Sequence, residues 1–284
     1  MGRFNKHIII VGSARSGTSW LAETIGKQHR YRMLFEPDHE FQTKDGHLLR
    51  DQYVTKKDGF EQGHRYLERV FANRVDSDWI AQNSNRKWKR HLWPFISKKF
   101  VIKFVRCNLS AHYMQEAFGI PVLHIIRNPY EVLQSQQRVK FPWLYDLSHF
   151  ANQPNLVALL LEHFNFDITQ WERYNELERL AIRWCVENSV PFLGQSQNNQ
   201  NYRVVRYEDL RKDKQVFLKL CDDFNLQPLS NLEEEYRKPS SKTHPKSVIV
   251  KKGAVQESFS EENKSSIRRI LDTFEITLYP KNPL

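Results

Sequence analysis

The chain has 284 residues, enough to bury a substantial core as one large domain or two small ones. Its 43 basic against 33 acidic residues leave a formal net charge of +10, which points to anionic partners: nucleic acid, a membrane surface, a nucleotide or an acidic substrate. Several classes are excluded. No run of five or six basic residues marks a nucleic-acid arm, and Cys107, Cys185 and Cys221 lie too far apart for a disulfide scaffold or a zinc site. No apolar run approaches the ~20 residues that span a bilayer. No signal segment precedes the first strand, and the cysteine usage fits a reducing compartment, so an unanchored, cytoplasmic protein is expected.

The first predicted strand is residues 7–11, with the apolar run Ile8-Ile9-Ile10-Val11. A helix follows at 17–28 and a second strand at 31–35. Residues 40–98 read as a polar, basic, irregular insertion with dispersed aromatics, placed beyond the carboxyl ends of the strands, where ligands bind in such sheets. Strand 99–105, helix 110–118, strand 121–126 and helix 129–138 come next. Helices 155–164 and 167–189 precede a surface loop at 194–201 and a strand at 202–206. A helix at 212–224, a polar extended stretch at 237–256 and a helix at 260–274 complete the chain. Short apolar strands separated by helices predict an α/β protein: a parallel β-sheet flanked by helices on both faces, in one domain.

The first strand leads into Gly12-Ser13-Ala14-Arg15-Ser16-Gly17-Thr18-Ser19-Trp20. The two glycines have the spacing of the phosphate loop G-x-x-x-x-G-K-S/T, but Thr18 stands where that loop has its lysine, and Arg15 puts a cation in the middle. Successive backbone N–H groups and a helix N-terminus make this an anion site. It lacks the lysine that reaches β- and γ-phosphates, and no strand ends in an aspartate to hold magnesium. The other reading is an ordinary Ser/Gly-rich turn. In a second motif the strand 121–126 ends at Arg127. Asn128 is placed to cap the next helix, with Pro129 as its first residue. Ser135, two turns on, can join Arg127 in gripping a doubly charged phosphate. Taken alone, this pair also reads as a strand-end arginine and a solvated serine.

Together the motifs resemble the sulfotransferases that use 3′-phosphoadenosine 5′-phosphosulfate (PAPS). Arg15-Ser16-Gly17-Thr18-Ser19-Trp20 is similar to that family's 5′-phosphosulfate loop, and Arg127-Asn128-Pro129 with Ser135 to its 3′-phosphate motif. Tyr207-Glu208-Asp209-Leu210 resembles a Y-E-D-L whose tyrosine lies near the adenine. Lys251-Lys252-Gly253 resembles the basic segment that closes over the 3′-phosphate. The resemblance frames residues 7–36 and 99–274 and implies a PAPS donor, no metal and a P-loop-like fold. It also implies a leaving-group role for Arg15, where cytosolic members more usually have lysine. Arginine stays ionised, so electrostatic stabilisation is the expected role. Lys103 falls near a catalytic lysine of the cytosolic members; it either shares this work or faces solvent at a strand end.

The run Lys103-Phe104-Val105-Arg106 departs from the K-T-H of the steroid and phenol enzymes, because Val105 replaces the histidine base. Glu36, in Phe35-Glu36-Pro37, resembles the F-E-P of carbohydrate sulfotransferases and is the expected general base, with a capping or salt-bridging carboxylate as the other reading. Asp38, His39 and His112 are the reserves, and His124 is expected in the core. The resemblance leans toward a hydroxylated glycan acceptor, with tryptophans of 40–98 stacking on sugar faces. A lipid or small natural product also fits. Residues 141–150 read either as a lid or as a hydrophobic loop packed on the sheet. A nucleotide or sugar kinase and a non-catalytic nucleic-acid binder are the rival readings.

Overall fold

The computed structural model describes residues 4–28, 30–55, 58–82, 99–193, 201–228, 231–242, 259–277 and 279. Strands β1 (Ile8–Val11), β2 (Tyr31–Phe35), β3 (Lys99–Lys103), β4 (Val122–Ile126) and β5 (Tyr202–Arg206) form one sheet in the order β2-β3-β1-β4-β5. Every pairing is parallel. Helices α1 (Thr18–Gly26), α2 (Glu61–Phe71), α3 (Ala111–Phe118), α4 (Pro129–Val139), α5 (Pro154–Phe164), α6 (Glu176–Ser189), α7 (Tyr207–Lys212), α8 (Lys214–Asp223) and α9 (Glu261–Thr273) surround it, with shorter helical turns between.

The alternation of side chains along β1 explains the layers. Ile9 and Val11 pack into one core with Leu34, Ile102 and Val122, which α2 and α3 cover. Ile8 and Ile10 pack into a second core with Val101, Leu123 and Ile125, which α1 and α8 cover. Strands buried on both faces read as continuous apolar runs, and this is why the sheet was visible in the sequence. A third cluster joins α4, α5, α6 and α9 around Trp184, Phe150 and Phe274.

Several predicted elements change. Strand β3 ends at Lys103, two residues early, because the N–H groups of Val105 and Arg106 go to the Asp38 carboxylate at 2.8 and 2.6 Å. The long helix predicted at 167–189 divides into a 3-10 turn at Ile168–Arg173 and α6, which opens on a capping box of Asn175 and Glu178. The helix predicted at 212–224 becomes α7 and α8, separated at Asp213, whose side chain caps α8. The stretch read as irregular contains α2, and its Tyr66, Leu67, Val70 and Phe71 are buried against the sheet. Residues 194–200 and most of 237–256 lie outside the described residues.

Candidate active site

The turn from β1 to α1 is an anion-binding shape enforced by sterics. Gly12 has φ +155° and Gly17 has φ +96°. A Cβ on Gly12 would stand 2.3 Å from the Ile125 carbonyl oxygen, and one on Gly17 2.4 Å from the Tyr207 ring. The Ser16 N–H donates to the Ser13 carbonyl at 3.0 Å and closes the turn. From beneath, Asn188 Nδ2 donates to Ser13 Oγ at 2.8 Å and Gln136 Nε2 to the Ala14 carbonyl at 3.0 Å. Arg15 sits at φ +76°, a left-handed conformation that costs an L-residue about 1–2 kcal/mol. Such strain concentrates at functional sites. Gly17→Ala is expected to lose about 1–3 kcal/mol through strain and overlap with Tyr207, measured by denaturant unfolding. Gly119→Ala is its control, because φ there is +65° but nothing stands within 4 Å of the new methyl. Equal losses would show that the Tyr207 contact is unimportant.

The second motif meets the first across the sheet. Asn128 caps α4 by accepting the Tyr130 N–H at 3.0 Å, with Pro129 at the first turn, as predicted. Arg127 donates from Nη1 to the Arg15 carbonyl at 3.2 Å and from Nε to Glu131 at 2.9 Å. Its guanidinium lies 4.7 Å from the centre of the Tyr207 ring. Arg15 Nε donates to Ser135 Oγ at 3.0 Å. Burial, and then the neighbouring Arg127 charge, lower the Arg15 pKa. Two cations beside an anion-binding turn make a site for a ligand with more than one negative charge.

The third group comes from strand register. Phe35 pairs with Lys103, so Glu36 falls beside the end of β3, and its N–H donates to the Lys103 carbonyl at 2.8 Å. The Lys103 ammonium and the Glu36 carboxylate form a close ion pair. Lys103 is 2% exposed, so the solvent-facing reading does not hold. Its Nζ lies 4.9 Å from the centre of the Phe35 ring. Glu36 also carries a positive φ, +42°.

One cavity of about 820 Å³ collects these groups. Arg15, Gly17, Thr18, Ser19 and Trp20 line it from the loop, Arg127 and Ser135 from β4 and α4, Glu36 and Lys103 from β2 and β3, and Tyr207 from α7. Ser16 lies buried within the loop, and its Oγ has no hydrogen-bond partner among the described residues. Lys251, Lys252 and Gly253 lie outside the described residues, as do Trp88 and Trp93. Of the reserve bases, only His39 lines the cavity. Asp38 is fully buried, and its Oδ2 takes the N–H groups of Val105 and Arg106; burial, and then Glu36, raise its pKa. His112 is stacked on Tyr202 at 3.9 Å and bonded to the Pro191 carbonyl, away from the cavity, and burial lowers its pKa. His124 is wholly buried, as expected.

Sequence reasoning missed the groups that hold these residues. Glu131 orients Arg127, and its place in the first turn of α4, four residues beyond Arg127, was the signal for it. Glu208 accepts the Asn128 N–H at 2.8 Å and the Tyr279 hydroxyl at 2.7 Å, tying α7 to α4. Behind the cavity Asp51 takes hydrogen bonds from both Arg106 and Arg183. Burial would raise the Asp51 carboxyl, but the two guanidinium groups outweigh it and lower its pKa. In the segment 141–150, Leu144, Leu147 and Phe150 pack into the core, as the hydrophobic-loop reading expects, while Phe141, Pro142 and Trp143 line the cavity.

Fold and site together define a parallel α/β protein with a lysine-free anion loop and a second cationic subsite in the same cavity. No family model and no curated protein matches the chain. Among solved structures, the sulfotransferase domain from the curacin biosynthetic pathway is 17% identical, covering 96% of this chain and 98% of that one at a TM-score of 0.49. The sulfotransferase from Alicyclobacillus acidocaldarius is 12% identical, with 95% and 94% covered and a TM-score of 0.42. A mouse sulfotransferase complexed with PAP is also 12% identical, with 97% and 86% covered and a TM-score of 0.43. These describe what the chain is similar to, and the functional reading rests on the site itself.

Proposed function

We propose that this protein is a PAPS-dependent sulfotransferase that transfers a sulfuryl group to the hydroxyl of an acceptor. The observation that carries the proposal is the meeting, in one cavity, of the anion loop, the Arg127–Ser135 pair and the Lys103–Glu36 pair. The residues fit such a donor. The buried Ser16 hydroxyl lacks a partner among the described residues, and Gly17 leaves no room for a side chain against Tyr207. Arg15 to Ser19 would hold the 5′-phosphosulfate, Arg127 and Ser135 the 3′-phosphate, and Trp20 with Tyr207 the base. Lys251, Lys252 and Gly253 complete the proposed set from the sequence resemblance alone. When bound, the donor supplies a sulfuryl group activated by its link to a phosphate.

The chain's own residues do the rest. Arg15 fixes a positive charge where negative charge grows on the departing phosphate, and so stabilises the transition state more than the ground state. Glu36 takes the proton from the acceptor hydroxyl. Lys103, held against Glu36 and over Phe35, adds a second cation at the reacting end. No role in this scheme calls for a metal ion.

The sequence reading of the acceptor is a glycan. Trp79, Arg138 and Lys242 on the cavity wall are the residues that support it. The whole chain is read as one domain with residues 40–98 as an insertion on the acceptor side. No helix among the described residues is long and apolar enough to cross a membrane. Three buried, unbridged cysteines support a reducing, cytoplasmic setting.

Ligand binding tests the donor assignment. Adenosine 3′,5′-bisphosphate, without magnesium, is expected to raise the melting temperature clearly more than AMP; at 100 times its dissociation constant a ligand adds ~2.7 kcal/mol. Arg127→Ala is expected to weaken the bisphosphate about 10- to 100-fold by calorimetry and to leave AMP nearly unchanged. Equal binding of AMP would remove the 3′-phosphate subsite. Stronger stabilisation by ATP with magnesium would move the reading to a kinase, and steeply salt-dependent binding of nucleic acid alone to a non-catalytic role.

A further inference from the structure

Arg183 has more partners than its anchoring requires. It is wholly buried on α6 and donates from Nη1 to Asp51 Oδ1 at 3.1 Å, from Nε to the Leu144 carbonyl at 3.1 Å, and from Nη2 to the carbonyls of Trp143 and Asp146 at 3.1 and 2.7 Å. Those four bonds fix the guanidinium. A second carboxyl, Glu187, lies one turn further along the same helix, 2% exposed, with Oε1 3.3 Å from Arg183 Nη1. A longer fifth contact to an arginine already held adds little to the fold, and burying a carboxyl to make it is costly.

Charge is shared unequally in this cluster. Asp51 takes Arg106 as well as Arg183, so two cations face it. Glu187 has only Arg183, which it shares with Asp51, and its Oε2 has no hydrogen-bond partner among the described residues. A buried carboxyl with one shared arginine and a carboxylate neighbour favours its neutral form. Burial is the largest influence on Glu187 and raises its pKa to about 7 against the pull of Arg183; Asp51 raises it too, and the Ser13 hydroxyl lowers it. Arg106, Arg50 and His149 gather around Asp51 at the other end of the cluster, with the Asp146 carboxylate, which accepts the Ser148 N–H at 2.9 Å. His124, on β4, is held neutral, since burial lowers its pKa to about 3. Glu187 therefore changes charge near neutrality while the fold around it stays intact.

The position of Glu187 gives that charge a use. The next residue, Asn188, donates from Nδ2 to Ser13 Oγ at 2.8 Å. Ser13 is wholly buried at the start of the anion loop and accepts the Ser16 N–H that closes it. Glu187 thus stands beneath the loop and does not line the cavity. A carboxylate there opposes any anion that the loop holds, because buried charges are little screened. The neutral acid does not. An anion above and a proton below must then favour each other's binding.

Resting on the reading of the Gly12–Trp20 turn as the donor's anion loop, we infer that Glu187 is a proton site coupled to that loop: the donor anion binds best while Glu187 is neutral, and its binding draws a proton onto the carboxyl. Glu187 touches neither donor nor acceptor and acts through the loop above it. The proton comes from solvent as the donor binds and returns when the bisphosphate product leaves. Arg183 keeps its place in both states, because Asp51 and three carbonyls hold it. The change at Glu187 is one of charge, without movement of the cavity wall at Trp143.

Glu187→Gln keeps the shape and fixes the neutral state. The test is calorimetry of adenosine 3′,5′-bisphosphate with the full native and variant chains. The ligand's own phosphates titrate alike for both, so the comparison isolates Glu187. The two proteins are expected to bind equally at about pH 6, and the variant about fivefold more tightly at about pH 8, the size given by a tenfold preference of the anion for the neutral state. Buffers of different ionisation heat should show more proton uptake by the native protein than by the variant. A merely structural role predicts the opposite, weaker binding by the variant at both pH values. Equal or weaker binding by the variant at the higher pH overturns the inference and leaves the donor reading standing. Bisphosphate binding to neither protein removes the donor reading instead. In that case, or if Glu187→Gln does not fold, inorganic sulfate decides, since it does not titrate in this range. Its binding to a His39→Ala protein, free of the cavity's histidine, is followed by thermal shift: a loss of about fivefold between about pH 6 and pH 8 supports the inference, and binding independent of pH, or none, overturns it.

Discussion

Arg15→Ala is expected to lower turnover roughly 100- to 1000-fold, the loss found when one preorganised stabiliser of a transition state is removed. Arg15 stands in the middle of the anion loop, where its side chain reaches Ser135 and its carbonyl receives Arg127. Burial and Arg127 both press against its charge, yet a guanidinium stays ionised under such pressure, so it contributes fixed charge and not a proton. Arg15→Lys keeps the charge and is expected to retain much of the activity. Alanine keeps the left-handed strain at this position, so unfolding curves should separate a loss of fold from a loss of catalysis. Single-turnover kinetics with saturating donor gives the answer directly. If the alanine variant turns over normally and only its donor KM rises, Arg15 positions the donor and does not stabilise the transition state.

The site was legible in the sequence wherever chemistry and local structure coincide. The apolar run of β1, two glycines at fixed spacing and a helix start all fall within fourteen residues, and each constrains the others. Gly17 stood out in the sequence by its spacing from Gly12; the fold adds two reasons for a glycine there, a φ of +96° and the Tyr207 ring 2.4 Å from its absent Cβ. Arg127 was visible as the end of β4 and Ser135 as two turns of α4. Their junction with Arg15 was not, because it depends on the adjacency of β1 and β4.

Other features had no local signal. Asp51 and Arg183 meet across 132 positions of sequence, and neither residue stands in a pattern that would single it out. Helix α2 was hidden because its exposed face is crowded with charge, which raises the average polarity of the segment although Tyr66, Leu67, Val70 and Phe71 form one stripe. The burial of Lys103 was equally hidden. A lysine ending an apolar strand ordinarily turns to water; here the parallel register of β2 and β3 delivers Glu36 to it.

Glu36→Gln is expected to lower turnover roughly 100- to 10,000-fold, the range for a positioned general base, while affinity for adenosine 3′,5′-bisphosphate is unchanged. The attacking hydroxyl must lose its proton, and the alternatives are narrow. Val105 is no base, Asp38 is buried and bonded to backbone, and His112 is stacked on Tyr202 outside the cavity. Glu36 lines the cavity, in a strained left-handed conformation that the fold maintains. Glutamine keeps its length and the Oε1 acceptor for Lys103, so the pocket's shape survives and only basicity is lost. His39→Ala is the decisive companion, because His39 shares the cavity wall. An active Glu36→Gln beside a dead His39→Ala would make the histidine the base and leave Glu36 as the anchor of Lys103. A dead Glu36→Gln with a working His39→Ala fixes the proton's destination at the carboxylate.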